Sequence, residues 1–399
     1  MIDSGVPPRP LAGVKVLDLS RVLAGPWAGQ LLADYGADVI KVERPGSGDD
    51  TRGWGPPWWG KESARTSAYY LCANRGKRSV ALDLATPEGQ AMVKSLAREA
   101  DVLIENYRVG QLAKYGLDCA SLQRLNPGLI YCSITGYGQT GPYAQRAGYD
   151  FAIQAQGGLM SLTGEPGAEP QKVGVAVVDL MTGVYAVTAI LAALHERQHT
   201  GRGRHIDAAL LDVQVAMLAN QATNYLVSGR PPTRMGNAHP NIVPYQVFAT
   251  ADGHLVLAVG NDAQFARACE AMGCAALAQD ERYTTNAGRV KHRAELVPQL
   301  QRALLARPTQ AWVAAFDAAG VPCSPILDIA QVFDDPQVRA RGLRAPEASG
   351  RPPGVLTPMC FDGQRPMALC PPPGLDADGD AVRAAAQAGH WPEASGESP

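Results

Sequence analysis

Clustered basic charge is missing from this sequence. Its 399 residues carry 36 Lys and Arg against 38 Asp and Glu, a formal charge of −2, with the cations spread along the chain. That leaves no electrostatic footprint for nucleic acid or an anionic membrane surface, and neither partner is expected. Grouped cysteines are missing too. The eight present are scattered with no CxxC, the nearest two being Cys269 and Cys274. A disulfide framework or zinc site would group them, so a reduced, cytoplasmic protein is expected. The seven histidines show no HExxH or comparable spacing, so no metal centre is expected. No apolar run approaches the roughly 18–20 residues of a membrane span. The opening MIDSGVPPRPLAG lacks the basic start and apolar core of a secretory signal. GxSxG is absent, and no cysteine has a local histidine partner, which removes the common signatures of Ser and Cys hydrolases.

What is present is a globular composition, 46% hydrophobic and 19% charged. The length suits two ordinary domains or one large one. Short apolar runs alternate with helical patterns through the first half. GVKVLDLS (13–20), ADVIKVE (37–43), SVALDL (79–84), DVLIENY (101–107) and LIYCSIT (129–135) read as strands. GQLLADYG (29–36) and TPEGQAMVKSLAREA (86–100) read as helices, with Thr86 as N-cap and Pro87 in the first turn. This alternation predicts an α/β fold with a parallel sheet covered on both faces.

Leu180, Val184, Val187, Leu191 and Leu194 recur at helical spacing, and a second long helix is expected over 210–227. The Pro/Gly-rich stretch 228–244 reads as an interdomain loop, and 245–260 as a hairpin around Asp252-Gly253. The expected organisation is a large domain over 1–228, a small α+β domain over 229–325, and a return segment over 326–399. The last twenty or so residues are weakly specified, and WPEASGESP (391–399) reads as a frayed tail.

Three features could carry chemistry. Gly136-Tyr-Gly-Gln-Thr-Gly141 matches GxGxxG after a strand, but Pro142 and a polar continuation supply no helix to face a pyrophosphate. A Gly-rich loop lining a cleft is the better reading. Arg21, Arg44, Lys77 and Arg78 fall near strand ends, where this class of fold binds anionic ligands. Lastly, Asp179 sits in VVDLMTGVYA (177–186), at the start of an amphipathic helix and after the apolar VGVAVV, read as a buried strand or turn. The residues leave it open between a structural N-cap and a reactive carboxylate. A helix start would hold such a group ionised, and glycines at 136–141, 157–158 or 183 could let main-chain N–H groups approach a reacting carbonyl.

Five stretches come in order: LAGVKVLDLSRVLAGPWAGQLLADYGADVIKVERPGSGDDTRGWGPP, LCANRGKRSVALDL, ADVLIENY, NPGLIYCSITGYGQTGPYAQRAGYDF and VGVAVVDLMTGVYA. Over about 11 to 345 the chain resembles the family III CoA-transferases, the CaiB/BaiF family. NYL at 224–226 and IVPYQVF at 242–248 bring it nearest the succinate–hydroxymethylglutarate subgroup. The resemblance implies transfer of CoA from an acyl-CoA, with succinyl-CoA as donor, to a free acid such as glutarate or hydroxymethylglutarate. CoA is a substrate, and no tightly bound cofactor is implied.

The resemblance puts Asp179 at the family's catalytic aspartate, reacting through an acyl–aspartyl anhydride and an aspartyl–CoA thioester. It assigns CoA contacts to Val22, Ala24, Arg44, Leu82, Asn106, Tyr107, Lys114, Tyr115, Gly136 and Tyr137. It further implies a Rossmann-like large domain, a smaller inserted domain, and two chains interlocked as a homodimer. Gly236, Asn237 and His239, in RMGNAHP (234–240), would belong to a loop closing over the partner's site. Arg21, Arg52, Arg146, Arg234 and His239 are candidate clamps for the acceptor's distal carboxylate. Related α-methylacyl-CoA racemases carry His where this chain has Tyr149. Losing that base favours a transferase over a racemase. A CoA-binding protein without activity is the remaining alternative. The family's C-terminal segment departs here to PPPGLDADGD (371–380), leaving its role open.

Overall fold

Six short strands, rich in β-branched and aliphatic residues, form the central sheet: β1 (Lys15–Asp18), β2 (Asp38–Glu43), β3 (Lys77–Ala81), β4 (Val102–Glu105), β5 (Ile130–Thr135) and β6 (His205–Ala209). The computed structural model describes residues 8–62, 65–346, 351–368 and 370–393. All five strand pairings are parallel, in the order β3-β2-β1-β4-β5-β6. The chain steps outward from β1 to β3, then crosses back to β4 on the other side of β1. The order therefore reverses between β1 and β4, which opens a crevice at their carboxyl ends.

The helices used below are α1 (Ala24–Asp34), α2 (Pro87–Glu99), α3 (Cys119–Leu125), α4 (Asp150–Gln156), α5 (Val177–Thr200), α6 (Leu210–Met217), α7 (Ala219–Ser228) and, near the C-terminus, α8 (Gly379–Ala388). Alternate side chains of each strand point to opposite faces. Val16, Val39, Val102 and Ile130 meet Leu32 of α1 and Val187 and Ile190 of α5. Leu17, Ile40, Val80 and Leu103 meet Val93 and Leu96 of α2 and Val382 and Ala386 of α8. Each such fully buried aliphatic side chain contributes roughly 1.5–3 kcal/mol. Thr86 caps α2 as expected, its hydroxyl accepting from the Gly89 N–H at 3.1 Å.

Several expectations need correction. The helix expected over 210–227 is two, interrupted where Ala219 takes a left-handed φ of +44°. VGVAVV, read as a buried strand or turn, is a bend and loop up to Ala176 and is not buried there, Val175 being exposed. α5 is longer and more apolar than the sequence reading allowed: an 18-residue window within its 24 residues has mean hydropathy 2.0, enough by length and composition to cross a membrane. Its buried side chains, among them Val178, Thr182, Ala186 and Ile190, pack on the sheet and α1, as a core helix requires. Lys77 and Arg78 begin β3 rather than ringing the carboxyl edge. Lys77 is buried against Asp18 at 2.9 Å, and Arg78 pairs with Asp38.

The C-terminal region is also better specified than composition suggested. Asp376 and Asp378 accept the backbone N–H groups of Ala81 and Ser79, each at 2.8 Å, and α8 packs on α2. Trp391, read as part of a frayed tail, is buried and donates to Asp38 at 2.7 Å; residues 394–399 lie outside the described residues.

The chain divides into two compact units: Met1–Leu159 with Val173–Thr223 and Arg339–Pro399, and Met160–Lys172 with Asn224–Val338. In the second, Tyr245–Ala249 and His254–Ala258 form the antiparallel hairpin that Asp252-Gly253 predicted, and Cys323–Pro325 adds a third antiparallel strand. Phe248, Leu255, Phe265, Trp312 and Phe316 fill its core.

Candidate active site

Asp179 lies in the first turn of α5 and is 9% exposed. It is not the cap. The helix starts after Ala176, and its free N–H groups are met by the carboxylate of Asp150, at the start of α4. Asp150 Oδ1 accepts from Val178 N at 2.8 Å and Asp179 N at 3.4 Å, while Oδ2 accepts from Gln154 Nε2 at 2.7 Å. A second carboxylate therefore does the capping. Among the described residues, no ion pair or hydrogen bond engages the Asp179 carboxylate itself.

This reverses the expected electrostatics. Burial, and then the negative charge of Asp150, push the Asp179 carboxyl from its usual 3.8 up to about 7. A helix start does not hold the group ionised here, because Asp150 already occupies the positive end. A poorly solvated carboxylate of raised basicity is suited to attack a carbonyl. Tyr69, which the sequence reading missed, lies close enough for its hydroxyl to be pushed up to about 12 by burial and then by Asp179 and Asp150. It is a neutral O–H donor at physiological pH.

Asp179 opens into a cleft of about 250 Å³ at the crevice between β1 and β4. Of the residues singled out from sequence, Arg21, Val22, Ala24, Asn106, Tyr107, Gly136, Arg146 and Tyr149 line it with Asp179. Arg108, which was not anticipated, lines it too. Asn106 fixes the loop after β1: its side chain accepts from Arg21 N at 2.9 Å and donates to Arg21 O at 2.7 Å. Gly136 and Gly148 approach each other backbone to backbone. A Cβ on Gly136 would sit 2.6 Å from the Gly148 Cα, so no larger residue fits. Gly183, considered for the same purpose, instead lets α5 close on α1. A Cβ there would lie 2.8 Å from the Ala24 carbonyl oxygen.

A second cleft of about 230 Å³ is lined by Arg44, Leu82, Tyr107 and Tyr115, and shares Arg21, Tyr107 and Gln111 with the first. Arg44 is exposed just beyond β2, and Leu82 is buried beyond β3. The second cleft carries charges of both signs, Arg21, Lys41 and Arg44 beside Glu43, Asp49 and Asp83, with Arg44 the exposed cation beyond β2. Two expected residues line neither. Lys114 is exposed with Nζ 4.7 Å from the Tyr115 ring centroid, and the Tyr137 hydroxyl donates to Gln156 at 2.9 Å. The Tyr107 N–H is held at 2.8 Å by Glu105, whose carboxyl burial raises to about 7.

The candidate clamps separate clearly. Arg52 is committed to structure, with Nε and Nη2 on the Glu43 carboxylate at 2.8 and 2.7 Å and Nη2 on the Tyr70 hydroxyl at 2.6 Å. Arg21 pairs with Asp50 at 2.9 Å. Arg146 is exposed and stacks 4.0 Å from the Tyr143 ring centroid. In the second unit, Arg234 donates to the Glu165 and Ala168 carbonyls at 3.3 and 2.7 Å. The Gly236 N–H donates to Gly164 at 3.1 Å and the His239 N–H to Tyr245 at 2.9 Å; Asn237 lies in the turn between them. No cluster of His, Cys, Asp and Glu that could hold a metal occurs among the described residues.

Comparison with known proteins places this geometry in context. The model of CoA-transferase family III matches residues 11–379. A succinate–glutarate CoA-transferase of Agrobacterium fabrum is 57% identical over 362 residues, 88% of this chain and 89% of that protein. The human succinyl-CoA:glutarate CoA-transferase is 48% identical over 335 residues, 84% of this chain and 76% of that protein. The crystal structure of a CaiB/BaiF family protein from Brucella suis superposes with a TM-score of 0.84 at 51% identity, covering 95% of this chain and all of that one.

Proposed function

Because the chain belongs to CoA-transferase family III and is an enzyme of the CoA-transferase type, we propose that it moves CoA from succinyl-CoA to glutarate or a related dicarboxylate, with Asp179 as nucleophile. The observation that carries this reading is a buried carboxylate, unpaired among the described residues, in a cleft that Arg21, Arg108 and Arg146 also line. The donor and acceptor classes are supported by the names of the two transferases above.

In the proposed course, an Asp179 oxygen attacks the thioester carbonyl. The C–S bond breaks, giving a succinyl–aspartyl anhydride and CoA thiolate. The thiolate attacks the aspartyl carbonyl, expelling succinate and leaving an aspartyl–CoA thioester. The acceptor carboxylate attacks that thioester to form a second anhydride. The thiolate then takes the acceptor's acyl group and returns Asp179 as carboxylate. Atoms and charge balance with no resident cofactor, and the anhydrides demand that water be kept out.

Arg44, Leu82 and Tyr115 would hold the nucleotide end. Val22, Ala24, Asn106, Tyr107 and Gly136 would line the path to the thioester. Lys114 and Tyr137 are retained as CoA contacts only on the family resemblance. Arg146 is the preferred acceptor clamp because, unlike Arg52 and Arg21, no carboxylate pairs with it among the described residues. Tyr149, Gly236, Asn237 and His239 are kept as substrate-side residues. We also read 229–325 as a small domain between two parts of a large one, and the chain as a cytoplasmic, interlocked homodimer. The dimer is supported by Val184, Tyr185 and Leu191, which leave an apolar strip of α5 exposed.

The test is to incubate the protein with succinyl-CoA alone, trap with borohydride or hydroxylamine, and map the modified peptide. Adduct on Asp179, with CoA delivered to glutarate once it is added, is expected. Adduct elsewhere, or no transfer to any dicarboxylate, would overturn the proposal. Exchange of the substrate α-proton with deuterated water in the absence of acceptor would favour a racemase instead.

A further inference from the structure

The loop from β1 into α1 contains a conformation that its sequence does not favour. Val22 lies at φ +73°. A β-branched residue in the left-handed region is strained, and such outliers persist only where the surroundings over-determine them. Two consecutive peptides, Ser20–Arg21 and Arg21–Val22, are gripped from outside at both their C=O and N–H groups. The Ser20 carbonyl accepts from Lys41 Nζ at 2.8 Å. Asn106 holds Arg21 through both its main-chain groups, accepting from the N–H and donating to the C=O. The Val22 N–H points between the two oxygens of Asp49, 3.3 Å from each.

The outer two grips are one device. Lys41 and Asp49 pair at 2.9 Å with both side chains fully buried, so the same ion pair takes Ser20 with its ammonium and Val22 with its carboxylate. Thr51 completes the carboxylate, donating its N–H at 3.0 Å and its hydroxyl at 2.8 Å. Lys41 and Asp49 line the second cleft, while Val22 lines the first beside Asp179. A buried ion pair is weak evidence for stability, since well-packed apolar residues often do as well.

We infer that Asp49, braced by Lys41, is a positioning residue that holds Val22 in its strained turn and so shapes the wall against which acyl-CoA binds. This rests on the reading of the clefts as the acyl-CoA site. Pre-shaping the loop removes an ordering cost from binding. It acts on the thioester substrate rather than on the acceptor acid.

A double-mutant cycle tests it, because glycine adopts the turn without strain. CoA affinity is measured by calorimetry, and KM for succinyl-CoA and glutarate by turnover, in wild type, Asp49→Asn, Val22→Gly and the double variant. Asp49→Asn is expected to weaken CoA binding about tenfold and raise KM for succinyl-CoA equally, with KM for glutarate unchanged. In the Val22→Gly background the same substitution should matter at least fivefold less. Equal effects in both backgrounds, or equal rises in both KM values, would overturn the inference. Wild-type protein that fails to bind CoA would instead sink the reading of the site. Should Asp49→Asn not fold, the pair Lys41→Met with Asp49→Leu removes both charges together, and the same contrast between backgrounds is expected.

Discussion

Replacing Asp179 by asparagine should make the protein more stable as it makes it inert, and the gain should grow with pH. In the folded state the carboxyl titrates near 7 rather than 3.8, through burial and then Asp150. Each tenfold change in proton affinity is worth about 1.4 kcal/mol, so keeping this group ionised in the fold costs about 4 kcal/mol. The sign follows from the direction of the shift. A folded-state pKa above the unfolded one favours folding fully below about 3.8, and that favour is lost as pH rises through about 7. Asparagine does not titrate. The stability of Asp179→Asn relative to wild type should therefore rise by about 3 kcal/mol between pH 5 and pH 8.5. For a chain of this length that is about 3 °C in melting temperature, by scaling the unfolding entropy with residue number. Calorimetric melts of both proteins across that range measure it, beside turnover expected below about 10⁻³ of wild type. A difference independent of pH, or a variant less stable at pH 8.5, would refute the reasoning.

Three further outcomes are expected. With the proposed Asp179 nucleophile, kcat/KM for succinyl-CoA should fall tenfold per pH unit below an apparent pKa near 7, where its carboxyl is protonated. Asp150→Asn should move that limb to lower pH, and a rate flat from pH 5.5 to 8 would contradict this. Gly136→Ala puts a Cβ 2.6 Å from Gly148 Cα, so steady-state assays should find kcat/KM reduced at least about tenfold; unchanged kinetics would mean that the two loops part freely. Arg52→Met leaves Glu43 buried without its bidentate partner and should destabilise by about 3 kcal/mol in denaturant titration, with the glutarate KM unaltered. A raised glutarate KM at unchanged stability would restore Arg52 as a clamp.

The parallel sheet was legible because short aliphatic stretches, in VKVL, DVIKV and LIYCSI, alternate with helical patterns. The left-handed break at Ala219 was not, since its neighbours on both sides have ordinary helical character. Asp179 could be found because a lone carboxylate in an apolar run is costly and therefore conspicuous. That Asp150 caps its helix could not, because 29 residues separate the two and a cap from another element leaves no local pattern. Arg21, Arg52 and Arg146 looked equivalent as letters. Only geometry shows one facing Asp50, one spent on Glu43 and one stacked on Tyr143 beside the cleft.

The hold of Asp376 and Asp378 on β3 has a consequence for how the chain is made. β3 is an edge strand, and until those carboxylates arrive its outer N–H groups are an open template for any extended segment. Ser79 and Asp378 are 299 residues apart. At ordinary rates of translation, the strand leaves the ribosome roughly 15–60 s before its cover is synthesised. A chain cut short before residue 376 would keep that edge open for good, with Asp179 already in place.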